Sequence, residues 1–109
     1  MPWLRNTSAL AAAYLFLTMA QAAQVGSVEG GHRLAREMCA ECHLLGAEAG
    51  PSNNANAPTF KEVANTSGMT GAALRSSFQS WHNNMPNLII TVEQEDNLVA
   101  YILSLRKSD

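Results

Sequence analysis

Residues 39–43 read Cys39-Ala40-Glu41-Cys42-His43, CAECH, and hold both cysteines of the 109-residue chain. Two cysteines at this spacing serve four chemistries: a disulfide, a zinc site, thiol redox exchange, or a tether for a prosthetic group. Each makes different demands on the remaining residues, so the flanking sequence chooses among them.

Upstream, one positive charge (Arg5) precedes the apolar run SALAAAYLFLTMA, and no charge occurs from Asn6 to Val28. The run ends at Ala20-Gln21-Ala22, with small residues at the two positions a signal peptidase reads. Its 13 apolar-core residues fall short of the roughly 18–20 that a spanning helix needs. The expectation is a cleavable secretory signal over residues 1–22 and a single domain over 23–109, located in the periplasm; the alternative is a leader retained as an anchor.

Loss of Arg5 from the seven Lys/Arg leaves six against nine Asp/Glu, a formal charge of −3. No basic stripe is available to neutralise phosphates, which excludes a nucleic-acid binder. A domain this small has a marginal core unless a staple or a bound group completes it. One disulfide between Cys39 and Cys42 would close a tiny loop and remove little chain entropy.

Three helical segments follow from periodicity. Over 28–40, Leu34, Ala35 and Met38 share one face, and Gly30 and Gly31 mark a place where another element approaches the backbone. The stretch GAEAGPSNNANAP is loop chemistry, of a length that usually wraps around something or carries function. A short helical turn is expected over 61–64. Over 70–82, Leu74, Phe78 and Trp81 form one apolar face, and Pro86 prevents continuation. The last helix begins with a capping box, Thr91 and Gln94, and repeats Leu98, Ile102 and Leu105 at helical spacing; Arg106 and Lys107 close its final turn. No strand pattern or internal repeat appears. The fold class is all-α.

Against this background, zinc lacks a fourth ligand: beyond Cys39, Cys42 and His43 only His32 and His82 remain, and no second pair exists. A redox Cys-x-x-Cys normally opens a helix beside strands, whereas these cysteines end one. A plain disulfide leaves His43 unexplained. Covalent haem attachment is the remaining reading of C-x-x-C-H: the thiols of Cys39 and Cys42 bind the macrocycle, His43 is an axial ligand, and the haem supplies the missing core.

The sixth ligand then decides between electron carriage and gas or peroxide chemistry. Met85, in a turn before Pro86, is the leading candidate; its plainer role is to fill a gap in the core. Met69 is a rival, His82 would give bis-histidine ligation, and Met38, too close to the attachment turn, packs.

CAECH at the end of the first helix, APTF in the loop, MPN before the last helix and LVAYILSLRK within it resemble the small class I (monohaem) c-type cytochromes of bacterial periplasms, over roughly residues 30–107. The resemblance implies a cytochrome c fold: three main helices and a short helical turn around a covalently bound haem c, with N- and C-terminal helices crossing at Gly31 and Tyr101 packed on the crossing. It implies thioether cysteines at Cys39 and Cys42, His43 and Met85 as iron ligands, and Pro58 as the carbonyl that accepts from the other nitrogen of His43, with Pro51 its rival. Trp81 is placed either on a haem propionate or in apolar packing against Leu74 and Phe78. Many members carry an aromatic where this chain has Ala35, so Leu34 or Met38 would fill that space.

The implied function is one-electron transfer by a monomer, without a small-molecule substrate and without enzyme activity. The implied partners are redox proteins: a periplasmic dehydrogenase, an oxidase or a membrane electron-transfer complex. Two alternatives stand beside it: a haem protein with an open or labile sixth site (gas sensor or peroxidase-like), and a dedicated cytochrome subunit of a periplasmic dehydrogenase.

Overall fold

The computed structural model describes residues 26–79 and 85–107. The expected leader, Trp81 and His82 lie outside the described residues. Within them are four helices and no strand: α1 (Val28–Met38), α2 (Phe60–Ala64), α3 (Gly71–Gln79) and α4 (Val92–Ser104). The chain is all-α. None of the described helices is long and apolar enough to cross a membrane.

Local chemistry sets most helix ends. Ser27 caps α1 from an extended backbone, its hydroxyl accepting from the Gly30 N–H at 3.0 Å. The Ser27 N–H donates to Asn97 Oδ1 at 2.7 Å, which fastens the start of α1 to α4. Thr59 and Glu62 form a reciprocal capping box on α2, and Thr91 and Gln94 form one on α4. Each box satisfies backbone donors that a helix start would otherwise leave open.

The core forms where α1, α2 and α3 meet α4. Leu98, Val99, Tyr101 and Ile102 of α4 are buried together with Leu34 and Ala35 of α1, and with Leu74 and Phe78 of α3. Side chains of this kind contribute about 1.5–3 kcal/mol each when fully buried. The closest approach of α1 to α4 is at Gly31, where an added Cβ would sit 2.6 Å from the Asn97 carbonyl carbon and 2.7 Å from Tyr101 Cβ. Ala35 is fully buried. The ring contacts of Tyr101 come instead from His32, stacked at 4.8 Å, and from Phe60, tilted at 6.3 Å.

Three expectations need correction. Met38 does not pack in the core: it is 43 % exposed, and of the two candidates to fill the space by Ala35 only Leu34 is buried. Met38 is the last residue of α1, so its side chain borders the cavity described below instead of facing α4. The short turn is a full capped helix that begins one residue earlier, at Phe60. Arg106 and Lys107 lie beyond α4, whose C-cap is Leu105, because their polar groups have tertiary partners. The Arg106 guanidinium donates to the carbonyls of Ala64 and Met69, and the Lys107 N–H donates to Asn65 Oδ1 at 2.9 Å. The second main helix, α3, is described as far as Gln79.

Candidate functional site

The cysteine motif occupies the turn that ends α1. Cys39 is the C-cap, its N–H donating to the Ala35 carbonyl at 2.8 Å. The chain then winds through one tight turn: the N–H groups of Cys42 and His43 both donate to the Cys39 carbonyl, at 3.2 and 2.9 Å. Both cysteines are free thiols. Cys39 is buried, and burial pushes its thiol up to about 11. A thiol so held is protonated at neutral pH, the opposite of the depressed values that activate redox cysteines. Among the described residues no cluster of three His, Cys, Asp or Glu is arranged to hold a metal ion.

His43 is oriented by the loop that follows it. Its Nδ1 lies 2.6 Å from the Pro58 carbonyl oxygen. A carbonyl only accepts, so Nδ1 carries the proton and donates, and Nε2 is left as the ring's basic nitrogen. The bond goes to Pro58 of APTF and not to Pro51, which is exposed.

Several hydrogen bonds hold the backbone around this pair. The Phe60 N–H donates to the Leu44 carbonyl at 2.9 Å, and the Leu44 N–H donates to Ser52 Oγ at 3.1 Å. The Asn54 N–H donates to the Cys42 carbonyl at 3.1 Å. Asn53 Nδ2 donates to the Ala40 carbonyl at 3.2 Å. The long polar loop is thus wound back onto the motif. Its Asn and Ser residues, which the sequence marks only as loop formers, act as braces.

One cavity of about 490 Å³ collects the candidate residues. Cys39, Cys42 and His43 line it from the α1 side, with Pro58 beside them. Leu74 and Phe78 of α3 and Ile102 of α4 supply apolar wall. Met85, Pro86 and Leu88 complete it. Its size is that of a pocket for a large organic ligand, typically about 300–1,000 Å³. Met69 and Met38 also reach it, so three methionines share the cavity with the motif.

Phe60 had no assigned role in the sequence, yet its ring lies 5.3 Å from that of His43 and also touches Tyr101. The signal for its placement was the T-x-x-E pattern of Thr59 and Glu62, which starts α2 at Phe60. The phenol of Tyr101 donates to the Leu45 carbonyl at 2.9 Å. Its ionisation is shifted upward by burial and by the carboxylate of Glu48, with Arg36 opposing. Trp81 and His82 belong to the segment outside the described residues.

Comparison with family models, with curated proteins and with solved structures finds no match in any of the three. The functional reading therefore rests on the residues and their geometry.

Proposed function

We propose that the protein is a periplasmic monohaem c-type cytochrome with the class I fold, passing single electrons between redox proteins. The observation that carries this reading is the His43–Pro58 bond in the lining of a cavity that both cysteines and Met85 also line. A histidine fixed through Nδ1 and basic at Nε2 is the state a metal-ligating imidazole requires.

The residues present fit a haem. The cavity is large and mostly apolar, as a macrocycle needs, and its donors are two thiols, one imidazole and a thioether. Cys39 and Cys42 would hold the group covalently, and His43 Nε2 and the Met85 sulfur would hold its iron. When bound, the haem iron supplies a one-electron Fe(III)/Fe(II) couple.

The chain's own residues supply the surroundings. Pro58 keeps the His43 ring in one tautomer and one orientation. Phe60, Leu74 and Phe78 exclude water from the cavity, and Met85 is a soft donor that favours the reduced metal. In this reading no bond of a substrate is made or broken. The protein is a monomer that docks with a periplasmic dehydrogenase, an oxidase or a membrane electron-transfer complex, and residues 1–22 are its removed leader.

The test is expression with a c-type maturation system. Wild type should stain for haem on a denaturing gel and give a pyridine haemochrome typical of two thioethers. Stain that survives the double change Cys39→Ala, Cys42→Ala would refute covalent attachment. Met85→Ala should bind carbon monoxide readily where wild type does not. Equal binding by the two would assign the chain to haem proteins with an open sixth site.

A further inference from the structure

The segment around His43 is paired with the segment around Pro58 by two contacts. His43 Nδ1 donates to the Pro58 carbonyl, and the Phe60 N–H donates to the Leu44 carbonyl. The His43 N–H also donates to the Cys39 carbonyl, its ring meets that of Phe60, and Leu45 packs against the core. Tyr101, on α4 and 56 positions downstream of Leu45, donates its phenolic proton to the Leu45 carbonyl at 2.9 Å.

Tyr101 is fit for such a role. It is only 6 % exposed, and a buried phenol needs a hydrogen-bond partner. Its ring is held between neighbours: it stacks on His32 of α1 and touches Phe60, whose ring in turn touches His43. Its Cβ lies against the Gly31 close approach, so its backbone sits where α1 and α4 fit most tightly. The phenol thereby adds a hydrogen bond between the helix crossing and the loop, beside the packing of Leu45 on the core.

We propose that Tyr101 is a positioning residue for His43: by holding the Leu45 carbonyl to α4, its phenol keeps His43 Nδ1 on Pro58 and so fixes the direction of Nε2. This inference rests on the reading of His43 as an iron ligand. Removing the hydroxyl leaves the rings packed but lets residues 43–45 move relative to Pro58. The His43 Nδ1 proton then opens to solvent more often.

The experiment measures solvent exchange of the His43 Nδ1 proton by NMR in the ferrous, haem-loaded protein, for wild type, Tyr101→Phe and Asn65→Ala. Asn65 is the control: its side chain ties Leu105 and Lys107 to the end of α2, away from His43, so its loss destabilises the fold without touching the loop. Tyr101→Phe is expected to speed exchange about two- to tenfold, the weight of one ordinary hydrogen bond, and Asn65→Ala to leave it unchanged. Should Tyr101→Phe fail to mature, Tyr101→Met, which also lacks the hydroxyl that reaches the Leu45 carbonyl, takes its place. Unchanged exchange in Tyr101→Phe, or in Tyr101→Met where it stands in, overturns the positioning role, as does equal acceleration by Asn65→Ala. Lack of haem stain in wild type overturns the underlying functional reading instead, and is seen before any variant is compared.

Discussion

Replacing Gly31 by alanine puts the packing of α1 on α4 to a quantitative test. The new methyl would meet the Asn97 carbonyl carbon at 2.6 Å and Tyr101 Cβ at 2.7 Å, with the Asn97 carbonyl oxygen closer still. These are backbone atoms and a side-chain root, so none can swing aside and the helices must separate. Overpacking of this kind costs about 1–3 kcal/mol, and contacts to backbone place it at the upper end. Alanine is better than glycine inside a helix by about 1 kcal/mol, which offsets part of the loss. The net expectation is a destabilisation of about 2 kcal/mol, or roughly 8–16 °C in Tm for a domain of this size. The assay is thermal and urea unfolding of the haem-loaded protein followed by circular dichroism. Gly30→Ala is the comparison, because its nearest neighbours are side-chain ends, Asn97 Nδ2 at 2.9 Å and Ser27 Oγ at 3.3 Å. That variant should stay within about 1 kcal/mol of wild type, since its helix-propensity gain offsets a small adjustment. A Gly31→Ala protein that melts at or above wild type would show that α1 and α4 do not meet as described.

Further outcomes follow from other parts of the molecule. Thr91→Ala removes the hydroxyl that accepts from the Gln94 N–H at 3.1 Å and should cost about 1 kcal/mol in urea unfolding. Burial, then Glu48, raise the ionisation of Tyr101 above its ordinary 10.0. The folded state therefore favours the neutral phenol: its contribution is fully present below pH 10 and is lost as pH rises through the folded value. Wild type should lose more stability than Tyr101→Phe between neutral pH and strongly alkaline pH, and parallel losses would contradict that shift. Met69→Ala should leave carbon monoxide binding as in wild type if Met85 is the sulfur ligand. Opening of the iron by Met69→Ala, and not by Met85→Ala, would exchange their roles.

How far the sequence could be read depended on the range of the interactions involved. The capping box of Thr91 and Gln94 and the repeat of Leu98 and Ile102 are set within a few residues, and α4 starts and buries where they indicate. The pair Leu74 and Phe78 marked the buried face of α3 in the same way. Ala35 and Met38 share the periodicity of α1 but have different surroundings, since Ala35 packs within the fold and Met38 sits at the helix end beside the cavity. Arg106 looked like a helix-dipole partner because its spacing allowed it. The carbonyls of Ala64 and Met69, 42 and 37 positions away, were beyond any local pattern.

By itself the sequence determined the helical class, most of the helix starts, the unpatterned long loop, and a motif whose two cysteines and histidine must lie within one turn. These are properties of short segments, governed by backbone hydrogen bonding and side-chain period. Only the tertiary structure decided which proline carbonyl meets His43. Pro51 and Pro58 lie in the same loop, and only the family resemblance favoured Pro58 over Pro51. The path of that loop is set by partners outside any helical or strand period: Ser52 on Leu44, Asn54 on Cys42, and, from far along the chain, Tyr101 on Leu45. The same holds for the grouping of Met85 with the motif in one cavity. The long chain between His43 and Met85 returns to the motif only through the way α2, α3 and α4 pack, which no local pattern encodes.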